Sequence, residues 1–283
     1  MSFDWLQVQN ALDGVATDPR ITFFTVNGTA VDEWTGFPAD IGRALDDEKF
    51  YWQPIGYPAA TFPMGPSVQA GVNELVNQIN LHPGKFVLCG YSQGALVTST
   101  VWRDYLLNPG GSLNKAGRLR DCIGIVNFGD PMRCPGIANG NVYAGQPLPA
   151  ELDGTMTGGI AGPDCLTPEQ TPSFFMNFAL DGDMYACCPV GPNPWSAEQQ
   201  VGYDETLIYS IIQNITVADV MAVIAEVFKV IFDPWTELVP LIEAIFNAGL
   251  FFAQGMNAPH FQYSIDAAVR WLNELAATSA IAA

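Results

Sequence analysis

The chain has 283 residues, enough for one large α/β core or for a core with an appendage. Eleven Lys and Arg against 29 Asp and Glu give a formal charge of -18, which repels polyphosphates and removes the counterion-release contribution that nucleic-acid binding needs. Nucleic acid is therefore not expected as a partner, and a composition 49% hydrophobic and 12% aromatic suits an uncharged, partly apolar substrate.

Met1-Ser2-Phe3-Asp4-Trp5 lacks the basic segment and apolar stretch of a secretory signal, so synthesis in the cytoplasm is expected. Six cysteines (Cys89, Cys122, Cys134, Cys165, Cys187, Cys188) form no C-x-x-C pair and only two histidines are present, so neither a metal nor a cofactor is expected. Their even number leaves two readings open: disulfides in an oxidising compartment, or small buried hydrophobes in a reducing one.

In chain order, residues 21–26 are a β-branched and aromatic run ending at Asn27-Gly28-Thr29, the pattern of a buried strand closing in a turn. Residues 50–55 read as a second strand. From 67 to 81, Val68, Val72, Leu75, Val76 and Ile79 recur at helical spacing, and Pro83-Gly84 ends the helix. Residues 85–89 run as a strand into Gly90-Tyr91-Ser92-Gln93-Gly94, and 95–106 follow as a helix. Residues 122–128 form an apolar strand closing on Gly129-Asp130-Pro131, and 174–180 one closing on Asp181-Gly182-Asp183. Between these two, 135–172 are rich in Gly, Pro and Asn and read as irregular surface loops. Strands alternating with helices predict an α/β fold whose mostly parallel sheet is covered on both faces.

From 204 to 255 the character changes. A helix over 217–232 gathers Asp219, Glu226 and Lys229 on one stripe, and another over 235–247 gathers Thr236, Glu243 and Asn247, with a kink expected at Pro240. Charge interrupts both too often for a bilayer span. They read either as helices packed deeply on the sheet or as an inserted subdomain with an apolar face. The expected division is 1–203 with 256–283 as the catalytic domain, and 204–255 as an inserted helical linker or lid.

A serine hydroxyl becomes a useful nucleophile only when a neighbouring base takes its proton, so Ser, His and a carboxylate must converge. A G-x-S-x-G string arises by chance in roughly one chain in ten of this length. Here it follows an apolar strand and opens a helix, the context that makes Ser92 the nucleophile on a strand-turn-helix elbow. His82 precedes the strand that delivers Ser92, which puts it at the opposite edge of the sheet. His260 sits on a late loop before a helix over 263–277, in the Ser, acid, His order of this hydrolase class, and is the expected base. Asp130-Pro131 reads as a turn former. Asp183 is preferred over Asp181 as the acid, because Asp181 could be fixing its own turn. Backbone N–H groups must meet the developing oxyanion, which points to Gln93 and to Thr29, with Gly28 giving the backbone room.

Taken together, Thr25-Val26-Asn27-Gly28-Thr29, Gln53-Pro54-Ile55-Gly56-Tyr57-Pro58-Ala59, the Ser92 motif, Phe128-Gly129-Asp130-Pro131, Gly182-Asp183-Met184-Tyr185 and the late His260 resemble the cutinase-like serine hydrolases over nearly the whole chain. The resemblance is closer to the mycobacteriophage lysin B esterases. It implies an α/β-hydrolase three-layer sandwich with Ser92 as nucleophile, Asp183 as acid, His260 as base, and Gln93 with Thr29 at the oxyanion hole. It further implies a monomer that cleaves the ester between mycolic acids and arabinogalactan in the mycobacterial outer envelope, after waiting in the host cytoplasm until lysis. The helical insert resembles lysin B, and its apolar faces are expected to touch lipid at the cleft. In compact cutinases a cysteine falls three residues after the acid, whereas Cys187 falls four after Asp183, so their disulfide does not carry over. Two other functions fit the same residues: a general cutinase or lipase, and a catalytically idle envelope-binding protein on a hydrolase fold.

Overall fold

The alternation of side chains along each apolar run decides how the sheet is covered. The structure is a computed structural model that describes residues 18–60, 64–150, 154–196 and 257–281; the expected helices at 217–232 and 235–247, and the insert they define, lie outside them. The strands are β1 (Ile21–Val26), β2 (Phe50–Pro54), β3 (Phe86–Tyr91), β4 (Cys122–Phe128), β5 (Thr157–Gly158), β6 (Phe175–Phe178) and β7 (Cys188–Pro189). Five of them form one parallel sheet in the order β2-β1-β3-β4-β6, and β5 and β7 pair antiparallel. Every residue of β1 and β3 is buried, as parallel strands covered on both faces should be.

Phe23, Val87, Cys89, Val126 and Phe128 point to one face, where they meet Ile41 of helix α1 (Phe37–Ala44) and Trp271 and Leu272 of the last helix. Their neighbours Phe24, Phe86, Leu88 and Ile125 point to the other face. There they meet Val68, Val72, Leu75 and Ile79 of α2 (Met64–Leu81) and Val97 of α3 (Gln93–Thr100). Each such burial contributes about 1.5–3 kcal/mol, so a strand shifted by one residue would exchange its two faces and lose most of that contribution. Gly71 costs α2 about 1 kcal/mol of helix propensity. It is tolerated because a Cβ there would stand 2.9 Å from Val97 and 3.0 Å from Tyr57, so its absence lets α2 approach.

The structure moves several boundaries. β3 continues to Tyr91, inside the serine motif, and α3 starts at Gln93 before passing into π-helical turns over Val101–Leu107. Helix α2 begins at Met64, because Pro66 in a first turn gives up an N–H that has no helical partner anyway. The segment 135–172 is not wholly irregular, since it contains α4 (Asn139–Tyr143) and β5. Side chains order it: the Asn139 amide donates to the carbonyls of Pro172 (3.1 Å) and Phe175 (3.0 Å), and Asn141 exchanges two bonds with the Ala179 backbone. Periodicity carries no signal of such bonds. The last helix, α5 (Asp266–Ile281), starts after Ser264, whose hydroxyl accepts the Asp266 N–H, and so leaves Tyr263 outside it.

All six cysteines are buried, and Cys89, Cys122, Cys134 and Cys165 carry free thiols. Burial pushes the Cys122 thiol up to about 12 and that of Cys134 up to about 11, so neither is a reactive thiolate at neutral pH. Among the described residues no helix is long and apolar enough to cross a membrane.

Asp130 does more than form a turn. Its carboxylate is fully buried and accepts the Ser99 hydroxyl (2.7 Å), the Asn127 amide (3.0 Å) and the Met132 N–H (2.8 Å). Asn127 in turn accepts the Thr98 hydroxyl at 2.8 Å, so the cluster fastens α3 to the end of β4. Burial raises the carboxyl to about 6, against the opposing pull of these donors. A carboxyl raised in the folded state binds more protons there than in the unfolded chain, so stability falls as pH rises from about 4 to 6 and then levels off. Asp130→Asn is expected to lose on the order of 1–3 kcal/mol at acidic pH and to flatten that pH dependence. Urea unfolding of both proteins between pH 4 and 7 measures it, and parallel curves would refute the assignment.

Candidate active site

The C-terminal ends of β1, β3, β4 and β6 meet in register, Val26 beside Gly90, Tyr91 beside Phe128, and Phe128 beside Phe178. The loops leaving those ends carry every expected site residue except His260. Ser92 links β3 to α3 with φ 57° and ψ -121°, a conformation that L residues rarely adopt, and its N–H donates to the Phe128 carbonyl at 3.0 Å. The flanking glycines are steric requirements. A Cβ on Gly94 would overlap the Val26 carbonyl oxygen, and one on Gly90 would lie 2.5 Å from the Ala95 Cα. The other described non-glycine residues with positive φ, Ala30 and Ala59, sit in two loops joined by an Ala30 N–H to Ala59 carbonyl bond of 2.8 Å. Backbone strain is thus gathered around the elbow and the loop that faces it.

His260 arrives on a 3-10 turn, Pro259–Phe261, and is 3% exposed. Its Nδ1 lies 3.0 and 2.9 Å from the two carboxylate oxygens of Asp183, which is completely buried. The imidazole stacks on Tyr91, the residue before Ser92, at 4.9 Å between centroids, and the Tyr91 hydroxyl donates to the His260 carbonyl at 3.0 Å. Gly129 passes directly beneath the pair: a Cβ there would stand 2.7 Å from the imidazole and 3.0 Å from Asp183 Oδ2. The Ser92 elbow and the His260–Asp183 pair therefore share the β3 and β4 ends as a common floor.

Asp183 is held from several sides. Oδ1 accepts the Tyr185 N–H at 3.0 Å, and Oδ2 accepts the Tyr263 hydroxyl at 2.5 Å. Its carbonyl accepts the N–H groups of Ala186 and Cys187, which closes the loop. The buried Arg133 braces that loop, donating from Nε to the Ala186 carbonyl (2.5 Å) and from Nη2 to the Thr157 hydroxyl (2.7 Å); burial lowers its pKa. Asp181 is exposed and accepts the Ala150 N–H at 3.1 Å, so it anchors the loop and does not reach the histidine.

On the opposite side of Ser92, a Cβ on Gly28 would stand 3.1 Å from the serine Cβ, so the Asn27–Thr29 turn runs against Ser92. Gln93 fixes that turn. Its Nε2 donates to the Thr29 hydroxyl (3.1 Å) and the Ala60 carbonyl (3.0 Å), while its Oε1 accepts the Ser67 hydroxyl (2.9 Å). The backbone N–H of Gln93 opens α3 and is one of the donors that a helix leaves unpaired internally. His82 lies at the far edge of the sheet, bonded to the Gln78 carbonyl and stacked on Tyr51. Among the described residues no three His, Cys, Asp or Glu side chains converge as metal ligands.

Sequence reasoning brought forward Ser92, Asp183, His260, Thr29 and Gln93, and the structure gathers all five on one edge. It missed Tyr91, Tyr263 and Arg133. Tyr263 was absorbed into the expected helix over 263–277; the serine at 264, a good N-cap, was the available signal that the helix starts later.

No family model matches the chain. Endolysin B of Mycobacterium phage L5 is 35% identical over 266 residues, covering 89% of this chain and 98% of the relative. The chain belongs to the phage endolysin B family. The endolysin B of Mycobacterium phage D29 is 34% identical over the same length. The crystal structure of lysin B from mycobacteriophage D29 aligns with a TM-score of 0.66 at 32% identity, covering 90% of this chain and 99% of that one. The α/β-hydrolase fold expected from the sequence is the fold observed, with its five-stranded parallel sheet covered on both faces.

If Asp183 holds the imidazole, Asp183→Asn lowers kcat by about 10³–10⁴-fold, whereas Asp181→Asn leaves it within about threefold. Steady-state hydrolysis of a short p-nitrophenyl ester checks both, and equal effects from the two variants would sink the distinction.

Proposed function

We propose that the protein hydrolyses the ester between mycolic acid and arabinogalactan through an acyl-enzyme on Ser92. The observation that carries the mechanism is the buried His260–Asp183 pair, packed through Tyr91 and Gly129 against the serine elbow. With Nδ1 turned to Asp183, Nε2 is the nitrogen that serves Ser92. It takes the hydroxyl proton as Oγ attacks the ester carbonyl. The oxyanion is met by the N–H groups of Gln93 and Thr29. His260 then gives its proton to the departing sugar oxygen, next deprotonates a water that attacks the acyl-enzyme, and finally returns the proton to Ser92.

The substrate rests on the family. Cleaving that bond separates the lipid layer from the wall polysaccharide, which is the step a phage of mycobacteria needs at lysis. In this reading the protein is made in the host cytoplasm, acts at the envelope after release, and works as a monomer. The catalytic domain of this reading is drawn from 1–203 and 256–283, and the dividing segment expected at 204–255 lies outside the described residues.

Two measurements test the proposal separately. A fluorophosphonate is expected to label the wild type, while Ser92→Ala takes no label and loses at least about 10³-fold in ester hydrolysis; full activity in that variant would end the mechanism. Purified wild type is expected to release free mycolic acid from mycobacterial cell-wall material. Label without such release, alongside fast turnover of triglycerides, would point to the general lipase reading.

A further inference from the structure

Tyr263 fills its space with a ring that touches Phe37, Phe128 and Tyr91, and a phenylalanine would fill that space equally well. The hydroxyl therefore needs its own explanation. It is buried with the rest of the side chain, which carries a desolvation cost. It lies near the Leu180 backbone, and its strong contact is the 2.5 Å bond to Asp183 Oδ2. That oxygen also lies 2.9 Å from His260 Nδ1, so one carboxylate oxygen is shared by the phenol and the imidazole.

Building on the esterase reading, we infer that Tyr263 is a positioning residue, whose hydroxyl orients Asp183 and sets how strongly that carboxylate draws the proton on His260. A completely buried carboxylate stays ionised only if donors replace its water. Here they are the Tyr185 N–H, the Tyr263 hydroxyl and the imidazole N–H. A donor on a charged acceptor forms a bond roughly twice as strong as a neutral pair. Tyr263 remains a donor across the working range, since burial and the adjacent Asp183 charge raise its pKa well above that of an ordinary tyrosine.

The sign of the effect follows from competition for one oxygen. Charge spent on the phenol O–H is not available to the imidazolium. Removing the hydroxyl makes Asp183 more basic toward His260, stabilises the protonated imidazole, and shifts its deprotonation to higher pH. The other groups facing the pair are Tyr91 from β3, Tyr185 from the acid loop, Arg133 behind that loop, and Asp130 beyond Gly129. Tyr263→Phe removes none of these groups.

The chain has only two histidines, so in a His82→Gln background the imidazole Cε1 proton of His260 can be followed alone by NMR. Tyr263→Phe is expected to move its titration midpoint up by about 0.5–1 in pH, and the acid limb of kcat/KM with it, while kcat falls about 10–100-fold and KM holds. Loss of stability with an unmoved midpoint and an unmoved limb would make Tyr263 a packing residue and overturn the inference. If Tyr263→Phe does not fold, 3-fluorotyrosine at 263, a stronger donor, is expected to move the midpoint down, and no movement overturns the inference equally. Failure of the wild type to take the fluorophosphonate would defeat the esterase reading instead, whatever the titration shows.

Discussion

The structure hangs on how closely the start of α3 approaches the ends of β1 and β3. Gly94 stands where any side chain would collide with the Val26 carbonyl, and Gly90 where it would collide with Ala95. With both β-carbons absent, the chain can leave β3, turn at a strained Ser92 and drop onto the sheet within a few residues. Everything else at the site takes its position from that contact. The Asn27–Thr29 turn passes beside the serine because β1 neighbours β3, and Asp183 arrives beside β4 because β6 does.

Around this floor, polar groups are used in two ways. The Asp130 cluster lies behind the site, where it joins α3, the helix that follows Ser92, to β4. The Asp183 cluster lies within it, where Tyr185, Tyr263 and His260 all direct donors at one buried carboxylate. Two carboxyls on neighbouring loops of one sheet edge therefore have different tasks, set by whether their donors come from a helix and strand or from a histidine and a tyrosine.

How much of this was legible in the sequence depends on the type of interaction. Strands whose residues alternate between two apolar faces announce themselves, and the serine elbow is a local pattern in which strand, turn and helix are consecutive. Chain order and turn chemistry singled out Asp183 and His260, and the structure places the two side chains in contact. What escaped were groups whose meaning lies in long-range bonds. Nothing local in the sequence marks Arg133, whose meaning lies in a bond to the distant Ala186 carbonyl, and Asn139 and Asn141 read as loop residues until they are found holding the ends of β6. Tyr263 was misplaced for a related reason, since apolar spacing alone could not tell a ring packed before a helix from one inside it. The segment 135–172 followed the same rule: its order comes from side-chain bonds to distant backbone, which no periodicity encodes.

The pairing of His260 with Asp183 spans 77 residues, and the bond from Tyr91 to the His260 backbone spans 169. Each contact of such separation costs loop-closure entropy before it returns any stabilisation. Closing the site is thus expected to follow pairing of β3 with β4 and β4 with β6, whose partners lie nearer in sequence. Recovery of activity during refolding would trail recovery of secondary structure, making the site itself a reporter of the last step of assembly.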